Sequence, residues 1–147
     1  MPAVTRRVLL ESLSSLPLLS AAFWAGSRRA DAKQTATTVY ELRIYHAAPG
    51  KLGDLLARFR DHTTKLFEKH GMKNVAYWIP VDEPERGNIL VYILQHPSRD
   101  AATANWKSFQ DDPEWKRVKA ESEANGSLTE KVDSTFMALT DFSPPLR

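Results

Sequence analysis

The stretch Asn88-Ile89-Leu90-Val91-Tyr92-Ile93-Leu94-Gln95-His96 decides the fold. It is rich in β-branched and aromatic residues and apolar at odd and even positions alike from Ile89 to Leu94. That pattern predicts a central strand covered on both faces. The polar turn 82–87 joins it to a strand over 74–81. Further upstream, 39–45 alternates with period two, placing Tyr40, Leu42 and Ile44 on one side and Glu41, Arg43 and Tyr45 on the other.

Between these strands, Leu52, Leu55, Leu56, Phe59, Leu66 and Phe67 fall at helical spacing and predict one helix over 51–70, stopped by Gly71. Downstream, Pro97-Ser98 opens a helix running to Gln110. Asp111-Asp112-Pro113-Glu114-Trp115 restarts it, with an Asp cap and Pro at the first helical position, and Asn125-Gly126 ends the second piece. A closing strand is expected over 131–142. The order β-α-β-β-α-β predicts an α+β, ferredoxin-like domain with its helices on one face of a four-stranded antiparallel sheet. The other face of the central strand then needs a cover. A second copy of the sheet is the simplest one, so a symmetric homodimer is expected.

The chain has 147 residues, 42% hydrophobic and 26% charged, enough for one compact domain and unlike disordered or polytopic membrane proteins. It has no cysteine, which excludes disulfides, thiolate nucleophiles, Cys-bound metals and a Cys-anchored lipoprotein. Residues 1–32 read as an export leader. Arg6 and Arg7 precede an apolar block over 13–26, and Ala30-Asp31-Ala32 offers a cleavage site before Lys33. Thr5-Arg6-Arg7-Val8-Leu9-Leu10 resembles the twin-arginine motif, departing from it at Glu11. A mitochondrial presequence is the competing reading, opposed by Glu11, the apolar block and the Ala-x-Ala site. The block would span about 21 Å as a helix, short of the roughly 30 Å hydrocarbon core, so no permanent anchor is expected.

The expectation is thus a periplasmic or secreted bacterial protein, with a loose lead over 33–38 and a folded domain over 39–144. The leader holds Arg6, Arg7, Arg28 and Arg29 against Glu11 and Asp31, which accounts for the whole net charge of +2. The folded part is therefore neutral and carries no basic stripe for nucleic acid.

Chemistry is sparse. His46, His62, His70 and His96 include no pair at chelating spacing, so no metal site is expected. Phosphate loops, nucleophile elbows and dinucleotide fingerprints are missing. His62 lies near the apolar stripe of its helix and is the candidate proton-transfer residue, pointing between helix and sheet. The plainer account is a boundary histidine bonded to backbone or water. Tyr45, Trp78, Tyr92 and Trp106 are candidate walls of a small-molecule pocket, against the plainer account that they are core. Glu41 and Arg43 read as an anion contact or, more simply, an ion pair.

Five runs, in order, resemble the NIPSNAP family: Tyr40-Glu41-Leu42-Arg43-Ile44-Tyr45, Pro49-Gly50-Lys51-Leu52, Phe67-Glu68-Lys69-His70-Gly71, the span from Gly71 to Tyr77-Trp78, and Asp112-Pro113-Glu114-Trp115. The resemblance implies a dimeric α+β barrel, two ferredoxin-like sheets closed on each other, but brings no catalytic signature. Taken with the leader, it implies an exported NIPSNAP-type domain that binds a small apolar molecule or a protein partner as a homodimer. One alternative is an enzyme like the cofactor-independent monooxygenases or isomerases of related barrels, using a helix–sheet cleft with His62 as proton carrier. A further alternative is haem handling, with His62 or His70 as axial ligand; otherwise no cofactor is expected.

Overall fold

The structure, a computed structural model, describes residues 37–146. The leader read over 1–32, its cleavage site and most of the lead over 33–38 lie outside the described residues. The elements are β1 (Val39–Ala47), α1 (Leu52–Arg58), α2 (Thr64–Lys69), β2 (Lys73–Trp78), β3 (Ile89–His96), α3 (Arg99–Asp111), α4 (Pro113–Ser122) and β4 (Thr129–Met137). The strands make one antiparallel sheet in the order β2-β3-β1-β4. This is the ferredoxin-like arrangement, with the helices on one face. Among the described residues no helix is long and apolar enough to cross a membrane.

Local chemistry sets most boundaries. Ser98 caps α3 by accepting from the Ala101 amide at 3.0 Å, and Asp112 caps α4 by accepting from the Glu114 amide at 2.7 Å, with Pro113 at the first helical position. β2 stops at Trp78, short of the expected 81, because Pro80 cannot donate to a ladder. β4 begins earlier and ends earlier than expected. Among the described residues it pairs with β1 alone, and Met137 already pairs with Tyr40, next to the start of that strand.

The helix expected over 51–70 is interrupted. A π-helical turn, Phe59–Thr63, separates α1 from α2, with the Thr64 amide bonding back to the Phe59 carbonyl. The cause is visible in the spacing: no apolar residue stands between Phe59 and Leu66. The wider turn absorbs the extra residue, returns Leu66 and Phe67 to the core, and leaves Thr63 in the buried place between. The Thr63 hydroxyl donates to the Arg58 carbonyl at 3.2 Å.

The core lies between helices and sheet: Leu55, Phe59, Leu66, Phe67 and Phe109 pack on Leu90, Tyr92 and Leu94. Tyr92 is its centre, with ring centroids of Tyr45, Phe59, Phe67 and Tyr77 all within 6 Å. Burying each such large side chain stabilises the fold by about 1.5–3 kcal/mol.

The register gives an unexpected polarity. Glu41, Arg43 and Tyr45 pair with Leu94, Tyr92 and Leu90 and face the helices. Tyr40, Leu42 and Ile44, with Val91 and Ile93, face outward. The side of β1 that reads as polar is the covered one, and the side that reads as apolar has no helix over it.

Candidate functional site

Glu41 explains how a polar strand face is buried. Its side chain is 1% exposed, and both oxygens are fully used. Oε1 accepts from Arg43 Nη1 and Ser134 Oγ, each at 2.7 Å. Oε2 accepts from Trp106 Nε1 at 2.7 Å and from His96 Nε2 at 3.0 Å. One carboxylate therefore ties together β1, β3, β4 and α3. Burial pushes its pKa up, but the bonds from His96, Ser134, Trp106 and Arg43 outweigh it and bring the group down from 4.5 to about 2. Arg43 is held more firmly protonated than usual: burial opposes its charge, and the Tyr92 and Tyr45 oxygens and Glu41 more than offset it.

Above this knot a cleft opens between the sheet and helices α3 and α4. It has a volume of about 470 Å³ and is walled by Tyr45, Trp106, Phe109 and Trp115, with Arg43, Lys116 and Lys119 among its polar lining. The Arg43 guanidinium lies 4.3 Å from the centre of the Trp106 ring and 5.5 Å from that of Tyr45. On the far wall, buried Arg58 of α1 bonds Glu123 at 2.8 Å and Ser122 at 3.3 Å, and sits 5.3 Å from the centre of the Trp115 ring. The walls are thus braced by two part-buried arginine–carboxylate pairs, one on each side.

The four aromatic candidates divide. Tyr45 and Trp106 line the cleft. Tyr92 lies beneath, fully buried, its hydroxyl without a hydrogen bond of good geometry; burial, then Tyr45, hold that phenol protonated well above its ordinary range. Trp78 is on the opposite face, 49% exposed, in a groove of about 390 Å³ with Tyr40, Ile93, Met137 and Leu139. Its neighbour Tyr77 faces the helices and donates to Asn74.

His62 is not between helix and sheet. It lines an outer groove between the π-helical turn and α4, beside Asp54, Asp61 and Glu121. Ala57 and Val118 supply the apolar part of that groove and Arg58 its second base. His70 has both ring nitrogens engaged, Nδ1 with Ser108 at 2.8 Å and Nε2 with Asp112 at 2.7 Å. Asp112 also accepts from Lys69 at 2.8 Å; Lys69 and then His70 hold its carboxyl well below the usual range. Among the described residues no cluster of three or more His, Asp or Glu side chains is placed to hold a metal ion.

Sequence reasoning missed Trp115, Lys116 and Lys119 as parts of the cleft, and His96 and Ser134 as parts of the knot. The signal for the knot was a Glu and an Arg set two apart inside an otherwise strand-forming run, which calls for buried partners.

The NIPSNAP family model matches residues 40–144. An uncharacterised NIPSNAP-like domain protein from Burkholderia xenovorans shares the fold with a TM-score of 0.63 at 16% identity, over 75% of this chain and 91% of that one. A NIPSNAP family protein of unknown function from Agrobacterium tumefaciens does so with a TM-score of 0.63 at 22% identity, over 76% of this chain and 95% of that one. A second A. tumefaciens NIPSNAP family protein gives 0.63 at 20% identity, over 73% and 97%. No match was found among curated proteins. With the family model covering most of its length and its fold shared by these proteins, the chain belongs to the NIPSNAP family.

Proposed function

We propose that this is an exported NIPSNAP domain that pairs with itself through the open sheet face and binds a small, largely apolar aromatic molecule in the helix–sheet cleft. The observation that carries the binding reading is the cleft itself: four aromatic side chains around about 470 Å³, a size and lining suited to a small molecule. Wall rings fixed before a ligand arrives reduce the ordering cost of binding. Pairing is supported by the apolar residues Leu42, Ile44, Val91 and Ile93, which turn outward with no helix above them. Export is supported by the leader sequence, Arg6-Arg7, the apolar block and Ala30-Asp31-Ala32. The enzyme alternative has less to stand on, because no histidine lines the cleft.

Thermal-melt screening against small planar aromatics tests the binding reading. Ala120 lines the cleft from the exposed side of α4, so Ala120→Trp fills the space without disturbing the core. Ligands that raise the melting temperature of the wild type are expected to leave Ala120→Trp unmoved. Equal shifts in both proteins would place the binding elsewhere.

A further inference from the structure

We infer that the ligand of this cleft is a planar aromatic carboxylate, its ring against the aromatic lining and its acid group on Arg43; this rests on the cleft being the small-molecule site proposed above. The first argument is an excess of donors. Glu41 already accepts two hydrogen bonds on each oxygen, which fills a carboxylate's acceptor capacity. Arg43 makes a single side-chain hydrogen bond, from Nη1, and its Nε is buried with no partner. The knot has no acceptor left for the rest of the guanidinium fork. Arg43 lines the cleft and stacks by Trp106, so an acceptor entering alongside the indole meets donors that the protein leaves unused. A carboxylate is the group whose geometry matches a guanidinium.

The second argument is the balance of charge. Glu41 neutralises Arg43 at 2.7 Å, and Arg58 neutralises the lining Glu123 at 2.8 Å. Lys116 lies 3.9 Å from Asp111, which Lys107 already holds at 2.5 Å. Lys119 makes no ion pair among the described residues. The surplus at the mouth is positive, and such a field concentrates anions while doing nothing for neutral molecules. The aromatic lining of Tyr45, Trp106, Phe109 and Trp115 suits an aromatic body.

Calorimetric titration of the full chain with cinnamate and with cinnamamide, its neutral counterpart of similar shape, tests this. Cinnamate is expected to bind about tenfold tighter or more, with a preference that shrinks as salt is added. Arg43→Gln is expected to abolish the preference while keeping cinnamamide binding. Because Arg43 also neutralises Glu41, a second variant carrying Lys116→Gln and Lys119→Gln keeps the test independent of folding, and is expected to weaken cinnamate alone. Equal affinity for the two compounds overturns the inference and leaves the aromatic cleft standing. A cinnamate preference untouched by both variants also overturns it, since the acid group then sits elsewhere. Failure of both compounds to bind overturns the inference together with the cleft reading.

Discussion

Glu41→Gln removes a charge while keeping the shape of the side chain, and the geometry of the knot dictates the consequences. A glutamine has one accepting oxygen and one donating nitrogen. With the oxygen toward Arg43 and Ser134, the nitrogen meets His96 and Trp106; His96 can accept by changing tautomer, but the Trp106 N–H only donates. With the amide reversed, the Ser134 hydroxyl can accept, but Arg43 only donates. Either way one buried donor faces another, and Arg43 loses its counter-charge. Breaking a buried pair in this way costs about 3–5 kcal/mol. The fall of the Glu41 pKa from 4.5 to about 2, which those same bonds produce, corresponds to about 3 kcal/mol.

Urea unfolding of the full chain at neutral pH should therefore show a loss of about 3 kcal/mol, with the denaturant slope unchanged. The difference also has a predicted pH dependence. The folded pKa lies below the unfolded value, so the ionised group stabilises the fold fully above pH 4.5, and that contribution is lost as pH falls toward about 2. The gap between wild type and Glu41→Gln should be constant near neutrality and close below pH 4.5. A loss under about 1 kcal/mol, or a gap that persists unchanged in acid, would refute the account of the knot.

Three further outcomes are expected. Tyr92→Phe removes a buried hydroxyl that lacks a good hydrogen bond, so stability should stay level or rise by up to about 1 kcal/mol; a clear loss in thermal or urea unfolding would mean the hydroxyl has a partner. Gly71→Ala should cost about 1–2 kcal/mol, because φ is +74° and the new Cβ would lie 3.1 Å from Asn105 Nδ2; unchanged melting would contradict it. Ile93→Lys places a charge in the middle of the open sheet face and should turn a dimer into a monomer by light scattering, whereas a wild-type chain already monomeric at micromolar concentration would refute the pairing.

The order of elements was legible because each is signalled locally: a cap at Ser98, a cap and proline at Asp112-Pro113, period two in β1. The orientation of β1 was not. Alternation says that Glu41 and Leu42 point to opposite faces, but which face the helices cover depends on His96, Ser134 and Trp106, far away in sequence. Trp78 was misgrouped with Tyr45 and Tyr92 for a related reason. Residue type brought it into the set, whereas its face is set by pairing: Trp78 stands opposite Val91 and Tyr77 opposite Tyr92. The π-helical turn had left its mark in the empty stretch from Phe59 to Leu66, which a strict helical period would have filled with another apolar residue.

A polar knot under the helices and an apolar face outside them make sense as two parts of one design. An apolar β1 underside would bury surface as well, but it would leave the Trp106 N–H without its acceptor and Arg43 without its counter-charge. With Glu41 in place, the Trp106 ring is fixed by its Nε1 bond and the guanidinium is held beside it, while Arg58 and Glu123 brace the opposite wall at Trp115. The cleft is therefore braced at both sides and rich in donors at its inner end, the features on which the proposed carboxylate site rests. Because those side chains take up the helix-facing side of β1, Leu42 and Ile44 are turned outward, the face that the proposed self-association would cover. On this account a change that weakens the knot should loosen the cleft before it disturbs the outward sheet face, since the two are built from alternate residues of the same strand.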